Sequence, residues 1–282
     1  NCRSIIPHSC YRGSDKITVT SGIPKRKIHP KIYFRTGGSG ETTFLLLHGL
    51  GATGEVWRET QNIIDEKKLG RWVIPDMRGH GKSEWAKSYG LGEHSFDIAS
   101  LVKNRKKIII VGHSMGGLIA LSIATGWFGI EIAGVVAIGT MINWNENDTK
   151  RYLELAKKKP RWFDNYEEAA ARYLKVSGLW GLISPISKQA KSGVIEVNGK
   201  FRLAADNAVG TIGGPWMRNL IEIIKCPLIA AAGELDPIVS SRNYKPFTKN
   251  VMSIPSVAHN AQVEDPQSII SLINKIQKEG DA

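Results

Sequence analysis

The chain has 282 residues, 42% of them hydrophobic and 23% charged, and its 38 Lys and Arg against 26 Asp and Glu leave a net charge of +12. That length holds one large domain or one core with an insertion, and the apolar share can bury a sizeable core, which excludes wholesale disorder. No run approaches the ~20 apolar residues of a membrane span, and three Cys form neither a disulfide scaffold nor, with the seven His, a metal-ligand motif.

Residues 1–30 show no periodicity and read as a basic N-terminal arm. Residues 1–40 carry eight Lys or Arg against Asp15 alone, a net +7. A basic leader can attract nucleic acid or an anionic membrane. This arm has no Trp or Phe and only Tyr11 to stack on a base, so the expectation is a solvated arm and no nucleic-acid partner. Cys2 and Cys10 in the arm and Cys226 far along the chain suggest no disulfide, which makes a reducing compartment the default. With no secretory h-region visible, the expected location is cytoplasmic, although a chain starting at Asn1 is compatible with a removed leader.

Residues 31–34 then predict a strand, 36–40 a Gly-rich turn, and 44–47 a continuous apolar strand. Further apolar runs without polar alternation lie at 72–74, 108–111, 135–138 and 228–232, separated by amphipathic stretches. Strands apolar on both faces are covered on both sides, so the pattern predicts an α/β fold with a mostly parallel central sheet flanked by helices. Residues 143–215 break the rhythm. They predict short helices at 148–158, 165–176 and 185–191, and a hairpin at 194–203 turning on Asn198-Gly199. This reads as a mainly helical lid inserted into a core of 31–142 and 216–282.

Gly112-His113-Ser114-Met115-Gly116-Gly117 follows the run at 108–111 and precedes a helical stretch. This is G-x-S-x-G in a strand–turn–helix context. Glycines at 112 and 116 remove side chains that would collide with neighbouring backbone, so Ser114 stands clear beside a helix N-terminus that favours developing negative charge. Such a serine needs a base and an orienting acid, in the chain order Ser, Asp, His. His259 is the His beyond the last strand candidates. Asp236, in Gly233-Glu234-Leu235-Asp236-Pro237, lies just past the run at 228–232. Glu234 competes as the acid, while Pro237 favours a turn that aims Asp236 inward. His48-Gly49-Leu50-Gly51 ends the strand at 44–47 and can supply a second oxyanion donor, which assigns the amides of Leu50 and Met115 to that role. His48, Arg78 and His80 read as residues that fix loop backbone.

Together these motifs, from about residue 31 to 276, resemble the α/β-hydrolase superfamily, in its serine branch with a helical lid and an esterase or monoacylglycerol-lipase-like elbow. The resemblance implies a cofactor-free hydrolase cleaving a small carboxylic ester or related acyl bond through an acyl-enzyme, with no metal. C–C or amide hydrolysis on the same Ser114, Asp236 and His259, or slow-turnover ligand binding, are the alternatives. His113 and Ala52-Thr53 stand where the C–C branch often carries Asn and Gly-Pro. Against the family pattern residues 84–106 are short for the usual lead-in to the elbow strand, which implies an abbreviated helix there and one side of the sheet open. A lid above Ser114 predicts an apolar pocket bounded by Leu50, Met115 and Trp144 or Trp180, for uncharged or singly anionic acyl substrates.

Overall fold

The computed structural model describes residues 22–280. A seven-stranded sheet forms the centre. In chain order its strands are β1 (Phe34–Gly38), β2 (Thr43–Leu47), β3 (Arg71–Pro75), β4 (Ile108–His113), β5 (Ile132–Ile138), β8 (Leu228–Gly233) and β9 (Val251–Ile254), with β6 (Val194–Val197) and β7 (Lys200–Leu203) forming a separate hairpin. The spatial order is β1-β3-β2-β4-β5-β8-β9. Only β1 runs antiparallel, against β3.

The continuous apolar runs follow from burial on both faces. Leu45, Leu47, Ile110, Val135 and Ala230 point into one core, and Phe44, Leu46, Ile109, Val136 and Ile229 into the other. Helices α2 (Leu91–Val102) and α3 (Met115–Ala124) cover the first, while α1 (Arg58–Glu66) and the C-terminal α9 (Pro266–Gly280) cover the second. With twelve residues, α2 is a full helix packed on α3, so the expected opening on that side is absent. Chain direction across the sheet reverses between β2 and β4, and in open α/β sheets ligands bind at such a point, outside the strands' carboxyl ends.

Between β5 and β8 lie α4 (Glu146–Ala156), α5 (Tyr166–Val176), α6 (Lys188–Ser192), the hairpin, and α7 (Asn219–Ile223). Asn145 caps α4 through the Asp148 amide, Asn165 caps α5 through the Glu168 amide, and Ser187 caps α6 through the Ala190 amide. These caps place the helix starts within three residues of expectation. Asn198 and Gly199 turn the hairpin at φ +52° and +75°, as a type I′ turn needs. The last short helix is α8 (Ala261–Glu264). Among the described residues no helix is long and apolar enough to cross a membrane.

Two further expectations need correction. The first strand occupies Phe34–Gly38, where a glycine turn was expected. Gly37 pairs with Trp72 of β3, and a Cβ there would strike the indole. Its missing side chain therefore makes room for the ring rather than for a turn. The loose basic arm is also wrong for residues 22–30; residues 1–21 lie outside the described residues. The Lys27 amide donates to the Trp85 carbonyl at 2.9 Å, and the Lys87 amide to that of Lys27 at 2.9 Å. Arg26 forks onto the buried Asp206 at 2.7 and 2.8 Å.

Candidate active site

β4 ends in the turn carrying Ser114. Its backbone sits at φ +51°, ψ −114°, a region L-residues seldom occupy, at roughly 1–3 kcal/mol. The turn is over-determined. The Ser114 amide donates to the Ile138 carbonyl of β5 at 2.8 Å, and its carbonyl accepts from the Gly117 amide at 3.0 Å. A Cβ on Gly112 would meet the Gly116 carbonyl, one on Gly116 the Leu47 carbonyl of β2, and one on Gly117 the Thr140 hydroxyl. Three glycines thus let strand, helix and neighbouring strand close on the serine. Met115 is the first residue of α3, so its amide has no intrahelical acceptor.

The loop after β2 is held by histidines. His48 is fully buried; its Nδ1–H donates to the Gly49 carbonyl at 2.8 Å and its Nε2 accepts from the Met77 amide at 3.0 Å. His80 accepts from the Gly51 amide at 3.1 Å through Nε2. Burial pushes both down, His48 to about 4 and His80 to about 3, so both are neutral and each keeps one donor and one acceptor nitrogen. Asp76 accepts from the Gly54 and Lys82 amides, and Arg78 donates to Asp97 at 2.7 Å and to the Ser88 carbonyl. His48 and His80 thus fix the backbone on either side of Leu50 and Asp76 that of Gly54 and Lys82, while Arg78 ties its own turn to Ser88 and to Asp97 of α2; these are the loop-fixing roles expected for His48, Arg78 and His80.

Asp236 and His259 meet beyond β8 and β9. The His259 Nδ1 lies 2.8 Å from Asp236 Oδ2, with the Asp side chain wholly buried and the His 15% exposed. The other carboxylate oxygen accepts from the Ile238 and Val239 amides at 2.8 and 3.1 Å, which aims Oδ2 at the imidazole. Glu234, the competing acid, instead accepts from the Ser256 amide at 3.1 Å. Beneath the pair, Gly139 turns at φ +56°, and a Cβ there would lie 3.2 Å from the His259 ring and 3.3 Å from Asp236. Tyr244 clamps that turn by accepting from the Thr140 amide at 2.7 Å and donating to the Thr140 carbonyl at 2.8 Å.

Several positioning groups carry no sequence signal. The His113 Nε2–H donates to the His259 carbonyl at 2.8 Å, leaving Nδ1 to accept from the Gln262 amide at 3.3 Å. This tautomer is assigned from the hydrogen-bond network. Burial, then the adjacent His259, holds His113 well below the usual histidine range. Gln262 also donates to Asn260 Oδ1 at 3.1 Å, and Asn260 donates to the Ser177 and Gly178 carbonyls at 3.3 and 3.0 Å. The loop bearing His259 is thus tied both to the elbow and to the end of α5.

Ser114 and His259 face one cavity of about 330 Å³ without a direct hydrogen bond between them. Such contacts are often long in ligand-free enzymes. Leu50, Met115, Trp144, Tyr152 and Val176 line it. Trp144 is held by donating to the Met141 carbonyl at 2.7 Å. Trp180 does not line the cavity; it is 55% exposed and stacks on the Lys175 ammonium 4.8 Å from its ring centroid. Nor is the cavity wholly apolar, because Lys175 and Arg151 reach its wall. A neighbouring 310 Å³ cavity shares Met141, Arg151, Tyr152 and Ile238 but does not touch Ser114. Among the described residues no three His, Cys, Asp or Glu side chains cluster to hold a metal ion.

The chain is 26% identical to Lipase LipV of Mycobacterium tuberculosis over 153 residues, 54% of this chain and 56% of that protein. It is 37% identical to the pimeloyl-[acyl-carrier protein] methyl ester esterase of Proteus mirabilis over 95 residues, 33% of this chain and 35% of that one. The matches thus span between about a third and just over half of these relatives' lengths. Among solved structures, the thioesterase domain from the curacin biosynthetic pathway superimposes with a TM-score of 0.72 at 20% identity, covering 86% of this chain and 95% of that one. E-2-(acetamidomethylene)succinate hydrolase does so at 0.73 and 20%, covering 88% and 95%. The model of the alpha/beta hydrolase family matches residues 44–271, and with the elbow, sheet order and neighbouring structures in agreement the chain belongs to that family.

Proposed function

We propose that the chain is a serine hydrolase that cleaves a small carboxylic ester or related acyl bond through an acyl-enzyme. The observation that carries this reading is the strained Ser114 turn opening into the same cavity as a histidine whose far nitrogen lies 2.8 Å from a buried carboxylate. Ser114 Oγ attacks the carbonyl carbon as His259 Nε2 takes its proton. Asp236 holds the ring in the tautomer that leaves Nε2 free and stabilises the imidazolium. The Leu50 and Met115 amides receive the oxyanion, each donor lowering the barrier by roughly 3 kcal/mol. The imidazolium then protonates the leaving group, and water repeats the sequence on the acyl-enzyme. Residues 143–215 act as the lid over the core, with Trp144 against the substrate.

The lipase, esterase and thioesterase named among similar proteins support acyl transfer as the chemistry. The test is hydrolysis of p-nitrophenyl butyrate. Ser114→Ala should lose turnover apart from the residue left by binding and oxyanion donors, ~10³–10⁴ over water. Near-wild-type hydrolysis by that variant would refute the mechanism.

A further inference from the structure

A second chamber, of about 250 Å³, adjoins the Ser114 cavity and shares Leu50, Leu155 and Val176 with it. Lys158, Lys159, Arg161 and Arg172 line it. All four are exposed, and none has a carboxylate partner among the described residues. The chamber does contain one carboxylate, Asp206. Its Oδ1 already accepts from Arg26 Nη2 at 2.7 Å and the Ala208 amide at 3.1 Å, and its Oδ2 from Arg26 Nε and the Tyr89 hydroxyl, both at 2.8 Å. Asp206 is thus occupied by the segment before β1 and leaves the four cations uncompensated.

The backbone that carries two of the cations, and the head of a third, are fixed. Asn207 donates to the Lys158 and Lys159 carbonyls at 2.9 and 3.3 Å, and the Arg161 guanidinium lies 4.9 Å from the Phe163 ring centroid. Arg151 and Lys175 carry the same sign into the Ser114 cavity. Like charges gathered around one concavity repel each other and destabilise the fold, while a low-dielectric wall focuses their field on whatever enters. Such a cluster is lowest in energy with a multiply charged anion inside. Two guanidiniums among the four match the forked geometry and double charge of a phosphate monoester better than a single carboxylate.

We infer that this chamber is an anion subsite for a phosphate monoester group carried by the substrate away from its scissile acyl bond. The substrate is then an acyl ester of a phosphorylated alcohol. This inference rests on the proposed Ser114 chemistry for its kinetic consequence but not for binding, and the two are tested separately.

Binding is read by calorimetry at low salt on Ser114→Ala protein, with glycerol 3-phosphate, glycerol and succinate as ligands. Saturable binding of glycerol 3-phosphate alone, weakened at least about tenfold by Lys159→Gln/Arg172→Gln and by added KCl, is expected. No binding, equal binding of succinate, or binding indifferent to the double variant overturns the subsite. A thermal melt of the double variant separates loss of the subsite from loss of the fold. Turnover is read as the ratio of kcat/KM for 1-butanoylglycerol 3-phosphate to that for 1-butanoylglycerol. A wild-type ratio of about ten or more that collapses towards one in the double variant is expected, and a wild-type ratio near one overturns the inference. If glycerol 3-phosphate binds as stated but neither ester is cleaved, the subsite stands and the Ser114 reading falls. If both esters are cleaved alike and glycerol 3-phosphate does not bind, the reverse holds.

Discussion

Replacing Ser114 by glycine should stabilise the protein while abolishing its chemistry. Ser114 holds φ +51°, and a non-glycine residue in such a region stores roughly 1–3 kcal/mol. Glycine adopts positive φ without that strain, but its greater freedom in the unfolded chain takes back about 0.5–1 kcal/mol. The proper reference is Ser114→Ala, which keeps the strain and removes a hydroxyl that makes no hydrogen bond among the described residues. Ser114→Gly should therefore exceed Ser114→Ala by about 1 kcal/mol. Unfolding entropy near 2.1 cal/mol/K per residue amounts to roughly 0.6 kcal/mol/K for this chain, so the difference is a Tm about 2 °C higher. Scanning calorimetry of the two inactive variants under identical conditions measures it. A Ser114→Gly protein that melts at or below Ser114→Ala would refute the idea that strain is stored at this turn.

Asp236→Asn should lower kcat by up to about 10⁴, because the imidazole is then held in the wrong tautomer, whereas Glu234→Gln should be silent in the same ester assay; the opposite pattern moves the acid by two residues. Acid should destabilise the fold through the buried histidines. His48 and His80 titrate near 4 and 3 when folded against about 6.5 unfolded, so the unfolded chain binds more protons below 6.5 and stability falls as pH drops from there towards those values. Each contributes about 1.36 kcal/mol per pH unit inside that window, and His94 and His113 act in the same direction; urea midpoints that stay flat between pH 7 and 5 would contradict this. Trp144→Ala should raise KM or change acyl preference, while Trp180→Ala, on an exposed ring outside the cavity, should leave KM unchanged. A KM effect confined to Trp180 would put the pocket elsewhere.

What could be read from the sequence was whatever local chemistry dictates. Strands buried on both faces must be apolar throughout, so β2, β4, β5 and β8 show as unbroken runs. The elbow shows because three close approaches, two by backbone and one by the Thr140 side chain, each demand glycine. Long-range relations left no such trace. β1 was misplaced because Gly37 answers to Trp72, 35 residues on. Residues 22–30 looked like a free arm because the carboxylate that holds Arg26 lies 180 residues away. Asn260 and Gln262 bond loops that only the folded chain brings together. An exposed Trp180 and a lining Trp144 are the same residue type in the same insertion, and only packing against Met141 and Tyr152 tells them apart.

The central claim is that Ser114 is a nucleophile activated by His259, and covalent labelling tests it most directly. Wild-type protein treated with a fluorophosphonate should gain one adduct, located by mass spectrometry on the peptide carrying Ser114, and His259→Ala should slow its formation by orders of magnitude while retaining a folded melt. Labelling that is absent from the wild type, that falls on another serine, or that proceeds at the same rate without His259 would contradict the mechanism.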